Sequence, residues 1–296
     1  MFCEFSRRQL NDLKKYIKNY KGDFREILSI PGYLKFGCEV EFNSEKTPIY
    51  YQKYINPIYK VKSDISGMDI VEVISPVMYN YKEEWEKLRD MLLSIKYGTI
   101  KANTGGHIHF DHNIIDDKNI LSFLKLWCSL ENIIYDFSSG EFRELRNTAN
   151  IYASRLTEAR DYIELIEKEN KSLIILSNFG KRNGLNLANH FCSNPSSDKN
   201  TLEVRIPNGS LNINTWQNNI EFFALLFKYA NDVDNKDAIS KLYKHRQLKN
   251  TFKNRLLVAD MLYKDEDSKI RFLNQFELDN EFSSEYIKKS TFSIFS

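Results

Sequence analysis

The chain has 296 residues, 42% hydrophobic and 14% aromatic, which suits a folded protein with a substantial core in one large domain or two modest ones. Its 42 basic side chains nearly balance 40 acidic ones, for a formal net charge of +2, so the charge points to neither nucleic acid nor a membrane surface. The four cysteines (Cys3, Cys38, Cys128, Cys192) are far apart and form no CxxC pair, which argues against zinc ribbons and thioredoxin chemistry. The N-terminus lacks the apolar core of a signal peptide, and no window approaches the roughly 20 apolar residues of a membrane span. A reducing cytoplasm is the expected location.

Leu10, Leu13, Ile17 and Tyr20 recur at helical spacing and predict a helix near 8–20. Pro31-Gly32 stops that segment, and a strand follows at Gly37-Cys38-Glu39-Val40-Glu41-Phe42. Residues 43–62 are rich in Tyr, Lys and Pro without a clean period, and read as a long loop or hairpin. A strand over Met68–Ser75 ends at Pro76, and a helix over Lys82–Lys96 carries Trp85, Leu88, Met91, Leu92 and Ile95. Gly105-Gly106-His107-Ile108-His109-Phe110 reads as the next strand, its glycines permitting close backbone approach by a ligand.

An apolar helix is predicted for 117–137, a polar stretch for 138–150 and a helix for 156–171. Two strands follow, 184–191 and 201–206, joined by a turn-rich loop over 192–200. Thr215 is the expected N-cap of a helix reaching Ala230, and mostly charged helix lies beyond Asp232, before a Ser/Phe-rich tail over 290–296. The strands alternate polar and apolar, which suits an antiparallel sheet covered on one face only.

Alternation puts Glu39 with Glu41, His107 with His109, and Glu203 with Arg205 on polar strand faces. Cys38, Val40, Phe42, Ile108, Phe110, Leu202, Val204 and Ile206 fall on the opposite faces. Taken singly each pair is ordinary: exposed acids are common, paired histidines are often structural, and Glu-x-Arg can be a surface ion pair. Together they are ligands for a hard cation plus one planar fork for phosphate, a choice that solubility does not require.

In that order the motifs resemble the glutamine synthetase and glutamate–cysteine ligase superfamily, and more closely its compact branch, the amidoligases. Ser63-Asp64 through Met68-Asp69-Ile70-Val71-Glu72-Val73-Ile74-Ser75-Pro76 is similar to that branch's Asp-x-Ser followed by Glu-(Ile/Val)-x-Ser-Pro. Asn103-Thr104-Gly105-Gly106-His107-Ile108-His109 resembles its Thr-Gly-x-His-(Val/Ile)-His strand, and Thr201-Leu202-Glu203-Val204-Arg205 its Thr-(Ile/Leu)-Glu-x-Arg strand. The resemblance covers about residues 33–230.

It implies an α+β fold: an antiparallel sheet curved into a funnel, with helices packed on the outer face and ATP entering at the wide end. Residues 1–32 would be an N-terminal helical segment, 33–230 the catalytic domain, and 231–296 a helical extension packed on it. Glu39, Glu41, Glu72, His107 and Glu203 would hold Mg²⁺ or Mn²⁺; His109 and Arg205 would contact ATP phosphates; Glu203 and Arg205 would be the catalytic pair. The implied reaction joins a carboxylate, on an amino acid or peptide, to an amine through an acyl phosphate.

Three assignments are open at this stage. Glu72 shares a strand parity with Ile70 and Ile74, so either a bulge turns it inward or Asp69 or Asp64 replaces it. The resemblance makes Arg182, before the 184–191 strand, a phosphate- or substrate-binding candidate, against a basic helix end, with Arg143, Arg146 and Arg155 as rivals for a substrate carboxylate. Asn186 and Asn189 are candidates to line the site, whereas Cys38 belongs with the core. The competing functions are a guanidino or carboxylate kinase on the same sheet, a metal hydrolase using His107 and His109 with further ligands sought among His112, His190 and His245, and a silent binding module.

Overall fold

The computed structural model describes residues 7–64, 69–101, 103–142, 153–156, 159–191, 200–245 and 247–278. Met68, Arg143, Arg146, most of the 192–200 loop and the 290–296 tail lie outside the described residues. In chain order the elements are α1 (Arg7–Asn19), β1 (Phe36–Asn43), α2 (Pro48–Gln52), β2 (Lys60–Ser63), β3 (Ile70–Ile74), α3 (Lys82–Ser94), β4 (Gly106–Asp111) and α4 (Ile120–Ser138). Then come α5 (Ala159–Glu169), β5 (Leu185–Asn186), α6 (Ala188–Phe191), β6 (Thr201–Val204), α7 (Ile213–Asn231), α8 (Lys236–Lys244), α9 (Phe252–Leu262) and α10 (Glu266–Gln275).

The strands form one antiparallel sheet in the order β2-β3-β1-β4-β6-β5, open at β2 and β5 and not closed into a barrel. Its apolar face is the one the helices cover. Phe36 stacks on Trp85 of α3 at 5.2 Å, Phe42 meets Tyr51 of α2 edge-on at 5.0 Å, and Phe110 meets Phe227 of α7 at 5.5 Å. Behind them α4 packs on α7 through Phe123–Phe227 and Trp127–Phe223. The C-terminal helices join the same core: Phe272 packs on Phe137 and Phe222, Gln275 Nε2 donates to the Phe137 carbonyl, and Asn274 Nδ2 donates to Ile17 of α1. Among the described residues no helix is long and apolar enough to cross a membrane.

Several local expectations change. The 43–62 segment is not one long loop: it holds α2 and β2, anchored by the buried Tyr51, Ile55 and Tyr59. A single turn of helix and a four-residue strand are both too short to show a period. The strand expected over 184–191 stops after Asn186 and continues as α6. Asn212, not Thr215, caps α7, its side chain accepting from Asn214 N; Thr215 lies inside the helix and donates to Glu141 Oε2 at 2.6 Å. Gly106 serves packing instead of ligand approach, since a Cβ there would lie 2.8 Å from the Asn208 carbonyl oxygen and 2.9 Å from the Trp216 ring.

Candidate active site

The pairing register brings the polar faces of five strands together. Glu39 lies opposite His107, Glu41 opposite Glu72, His109 opposite Glu203, and Glu203 opposite Asn186. No bulge is needed for Glu72: Ile70 and Ile74 share the inner face with it, while Val71 and Val73 turn to the helices. Asp69 has the other parity and is exposed, and Asp64 follows the end of β2, so the geometry joins Glu72 to the other acids.

This face is not a solvated one. Glu39, Glu41, Glu72, His107 and Glu203 are each 3–9% exposed, and Asn186 is 1% exposed. Buried charges need partners, and the contacts here are dense. His107 Nδ1 lies 3.0 Å from Glu39 Oε2, and its Nε2 lies 3.8 Å from Glu41 Oε1. His109 Nε2 lies 3.2 Å from the other Glu39 oxygen and 3.9 Å from Glu203 Oε1. Arg205 Nη1 donates to Glu203 Oε1, Asn186 Nδ2 donates to Glu203 Oε2 at 2.7 Å, and the Gly105 N–H donates to Glu41 Oε2 at 2.6 Å. Lys62 on β2 pairs with Glu72 at 3.0 Å.

The titration pattern is that of an anionic cluster short of cations. For Glu39, burial opposes ionisation, but the His107 hydrogen bond and the close imidazoles of His107 and His109 outweigh it and hold the carboxyl well below its ordinary range. For Glu203, burial is again opposed, here by the Arg205 guanidinium, both histidines and the Asn186 hydrogen bond, and the carboxyl is held down. Glu72 moves the other way: burial and the Glu39 charge push it up to about 7 in spite of Lys62. Four carboxylates thus face two permanent cations, Arg205 and Lys62.

A divalent cation would complete this set. One donor atom each from Glu39, His109 and Glu203 lie within 4.8 Å of one another. Oxygen and imidazole ligands sit roughly 2.0–2.6 Å from such ions, so donors this close can share one. His109 Nε2 is buried without a hydrogen bond, although it touches Glu39, and Arg205 Nε is buried without one too. The imidazole nitrogen suits a metal ion and the guanidinium N–H an anionic ligand. The donor triad enlists His109, expected on phosphate, while His107, directly opposite Glu39, hydrogen-bonds it. A cavity of about 630 Å³ adjoins Glu39 and His109 and is lined also by Lys60, Ile74, Pro76 and Tyr79.

Other candidates fall outside the cluster. Arg182 is exposed in the turn before β5, where its carbonyl accepts from Ser154 N. Arg155 is engaged by Asn132 and Glu131 of α4 and lies over Tyr135. Asn189 is half-buried on α6, His190 pairs with Asp117, His112 lies beside Asp111, and His245 caps α8. Cys38 is buried on the apolar side with its thiol pushed up by burial. Reading the sequence missed Lys62 and the Thr201 hydroxyl, which is 3.3 Å from His109 Nδ1. Thr201 has the parity of Glu203 and was legible on that ground; Lys62 was hidden in a segment without a period.

The comparisons with known proteins bear on the whole arrangement. The crystal structure of the prokaryotic ubiquitin-like protein Pup in complex with its ligase PafA matches with 11% identity and a TM-score of 0.41, over 90% of this chain and 66% of that one. Similarity of that size carries no inference about activity. No curated protein sequence matches. The profile of the family described as "Putative amidoligase enzyme" matches residues 55–227, from just past α2 through most of α7. That span contains Glu72, both strand histidines, Glu203 and Arg205, while β1 adds Glu39 and Glu41 from outside it. The chain belongs to the amidoligase family.

Proposed function

We propose that this amidoligase is an ATP-dependent carboxylate–amine ligase that works through an acyl phosphate on an amino-acid or peptide substrate. The observation that carries the reading is the convergence of Glu39, Glu41, Glu72, Glu203, His107, His109 and Arg205 on one buried sheet face. Such a set suits phosphoryl transfer, which needs positioning and cations around developing negative charge more than it needs a protein nucleophile. The nearby candidates for a nucleophile are unsuited: the Ser75 hydroxyl is engaged by the Pro76 carbonyl and the Cys38 N–H, and the Cys38 thiol is buried and protonated.

Glu39, His109 and Glu203 would hold one Mg²⁺ or Mn²⁺, with Glu41, Glu72 and His107 available to a second. Bound there, the metal supplies charge neutralisation for the ATP phosphates. The planar fork of Arg205 grips phosphoryl oxygens in pairs, and Glu203, itself hydrogen-bonded by Asn186, holds that fork in place. A substrate carboxylate oxygen attacks the γ-phosphorus, the bond to the β-phosphate oxygen breaks, and ADP leaves with the electron pair. An amine nitrogen then attacks the acyl carbon, the bond to the phosphate oxygen breaks, and the amine gives up a proton. Burial of the site keeps water from intercepting the acyl phosphate. We take residues 33–230 as the catalytic unit, with 1–32 and 231–296 packed on it; the Asn274–Ile17 and Gln275–Phe137 hydrogen bonds support that division.

The test is an ATP turnover assay with Mg²⁺ over pools of amino acids, peptides and amines, with mass spectrometry for condensed products. ADP, phosphate and an amide product are expected, all abolished by EDTA. AMP and pyrophosphate would overturn the acyl-phosphate reading, and ADP release independent of any amine would favour a kinase.

A further inference from the structure

The cleft beside the acidic cluster holds a cation without a counter-ion. Alternation along β2 turns Lys60 and Lys62 to the same face as the acids. Lys62 lies opposite Glu72, which neutralises it. Lys60 lies opposite Ile74, which cannot, and the next residue in that row is Glu39, already engaged by both imidazoles. Lys60 has no ion pair with any described residue. The other basic side chains lining the cleft outside the cluster, Lys35 and His112, both lie beside Asp111, at 3.8 and 3.4 Å. The 630 Å³ cavity is thus lined by Glu39, His109 and the unpaired Lys60, and the register sets apolar Ile74 between Lys60 and Glu39.

We propose that Lys60 is the anion-binding residue of this cleft and takes a phosphate or carboxylate group of a ligand whose reacting end lies against Glu39 and His109. The inference rests on the ligase reading and adds a substrate class to it. Neighbouring strands lie roughly 4.8 Å apart, so Lys60 and Glu39, two strands apart in one row, are roughly 10 Å apart at the backbone. A ligand that engages both sites carries two anionic groups. The polyphosphate of a nucleotide meets that requirement, and so does a dicarboxylic amino acid. A lone ammonium on an edge strand also discourages pairing with a foreign sheet, a role that needs no anion.

Calorimetry on the full chain with Mg²⁺ separates these cases, using wild type, Lys60→Ala and Lys60→Arg against a non-hydrolysable ATP analogue, inorganic tripolyphosphate and glutamate. Lys60→Ala is expected to weaken at least one probe by about tenfold to a hundredfold, the range of one charge-assisted hydrogen bond, and Lys60→Arg to restore most of it. Joint loss of the analogue and tripolyphosphate assigns Lys60 to the polyphosphate; loss of glutamate alone assigns it to the acceptor carboxylate. Unchanged affinities in Lys60→Ala overturn the proposal, and self-association of that variant would then assign Lys60 to edge protection. A wild type that binds none of the three probes overturns the ligase reading and this inference with it.

Discussion

Glu72→Gln should have opposite effects on the metal-free and the metal-loaded protein. In the metal-free fold Glu72 is pushed up to about 7 by burial and by Glu39, from an ordinary value near 4.5. Between those two values the folded state holds a proton that the unfolded chain has released, so stability falls as pH rises through that window. At about 1.4 kcal/mol per tenfold, the full penalty above pH 7 would be about 3.4 kcal/mol. Lys62 is about half exposed and opens that side to water, so solvent screening reduces it to about 1–2 kcal/mol. Glutamine keeps the shape without the charge, so Glu72→Gln should raise the melting temperature at pH 8 in EDTA by a few degrees. At pH 5 the gain should nearly vanish. With saturating Mg²⁺ at pH 8 the order should reverse, because the variant loses a ligand and the mass-action stabilisation that goes with it. Scanning calorimetry at both pH values, with and without metal, reads all four cases. If Glu72 served only its ion pair with Lys62, the variant would be the less stable protein at pH 8 in EDTA, and that result would refute the argument.

Glu203→Gln should weaken metal binding and be partly rescued by excess Mn²⁺, whereas Arg205→Lys should leave metal binding nearly intact and lower kcat by about a hundredfold or more; metal titrations beside steady-state kinetics separate the two. Asn186→Ala removes the 2.7 Å hydrogen bond that orients Glu203 and should lower metal affinity by roughly tenfold in calorimetric titration, without unfolding the protein. Gly106→Ala places a Cβ against the Asn208 carbonyl and the Trp216 ring, and should lower stability by about 1–3 kcal/mol in urea unfolding; an unchanged midpoint would show that the glycine is not needed for that contact.

Some of this site is legible without coordinates. Strand side chains alternate with period two, so the spacing of Glu39 with Glu41, His107 with His109, and Glu203 with Arg205 is enough to place each pair on one face. The apolar residues between them likewise imply a sheet covered on one side, as Phe36, Phe42 and Phe110 prove to be. The period stops at the strand, however, because it says nothing of which residue lies across the gap. Register alone sets Glu72 opposite Glu41 and Glu203 opposite Asn186, and leaves Lys60 facing Ile74 while Lys62 finds Glu72. Short elements such as β2, β5 and α2 carry too few residues for a pattern, so tertiary packing decided them. Burial is likewise a property of the assembled sheet: only once the strands close do the two histidines hold Glu39 low, and burial with the Glu39 charge push Glu72 up.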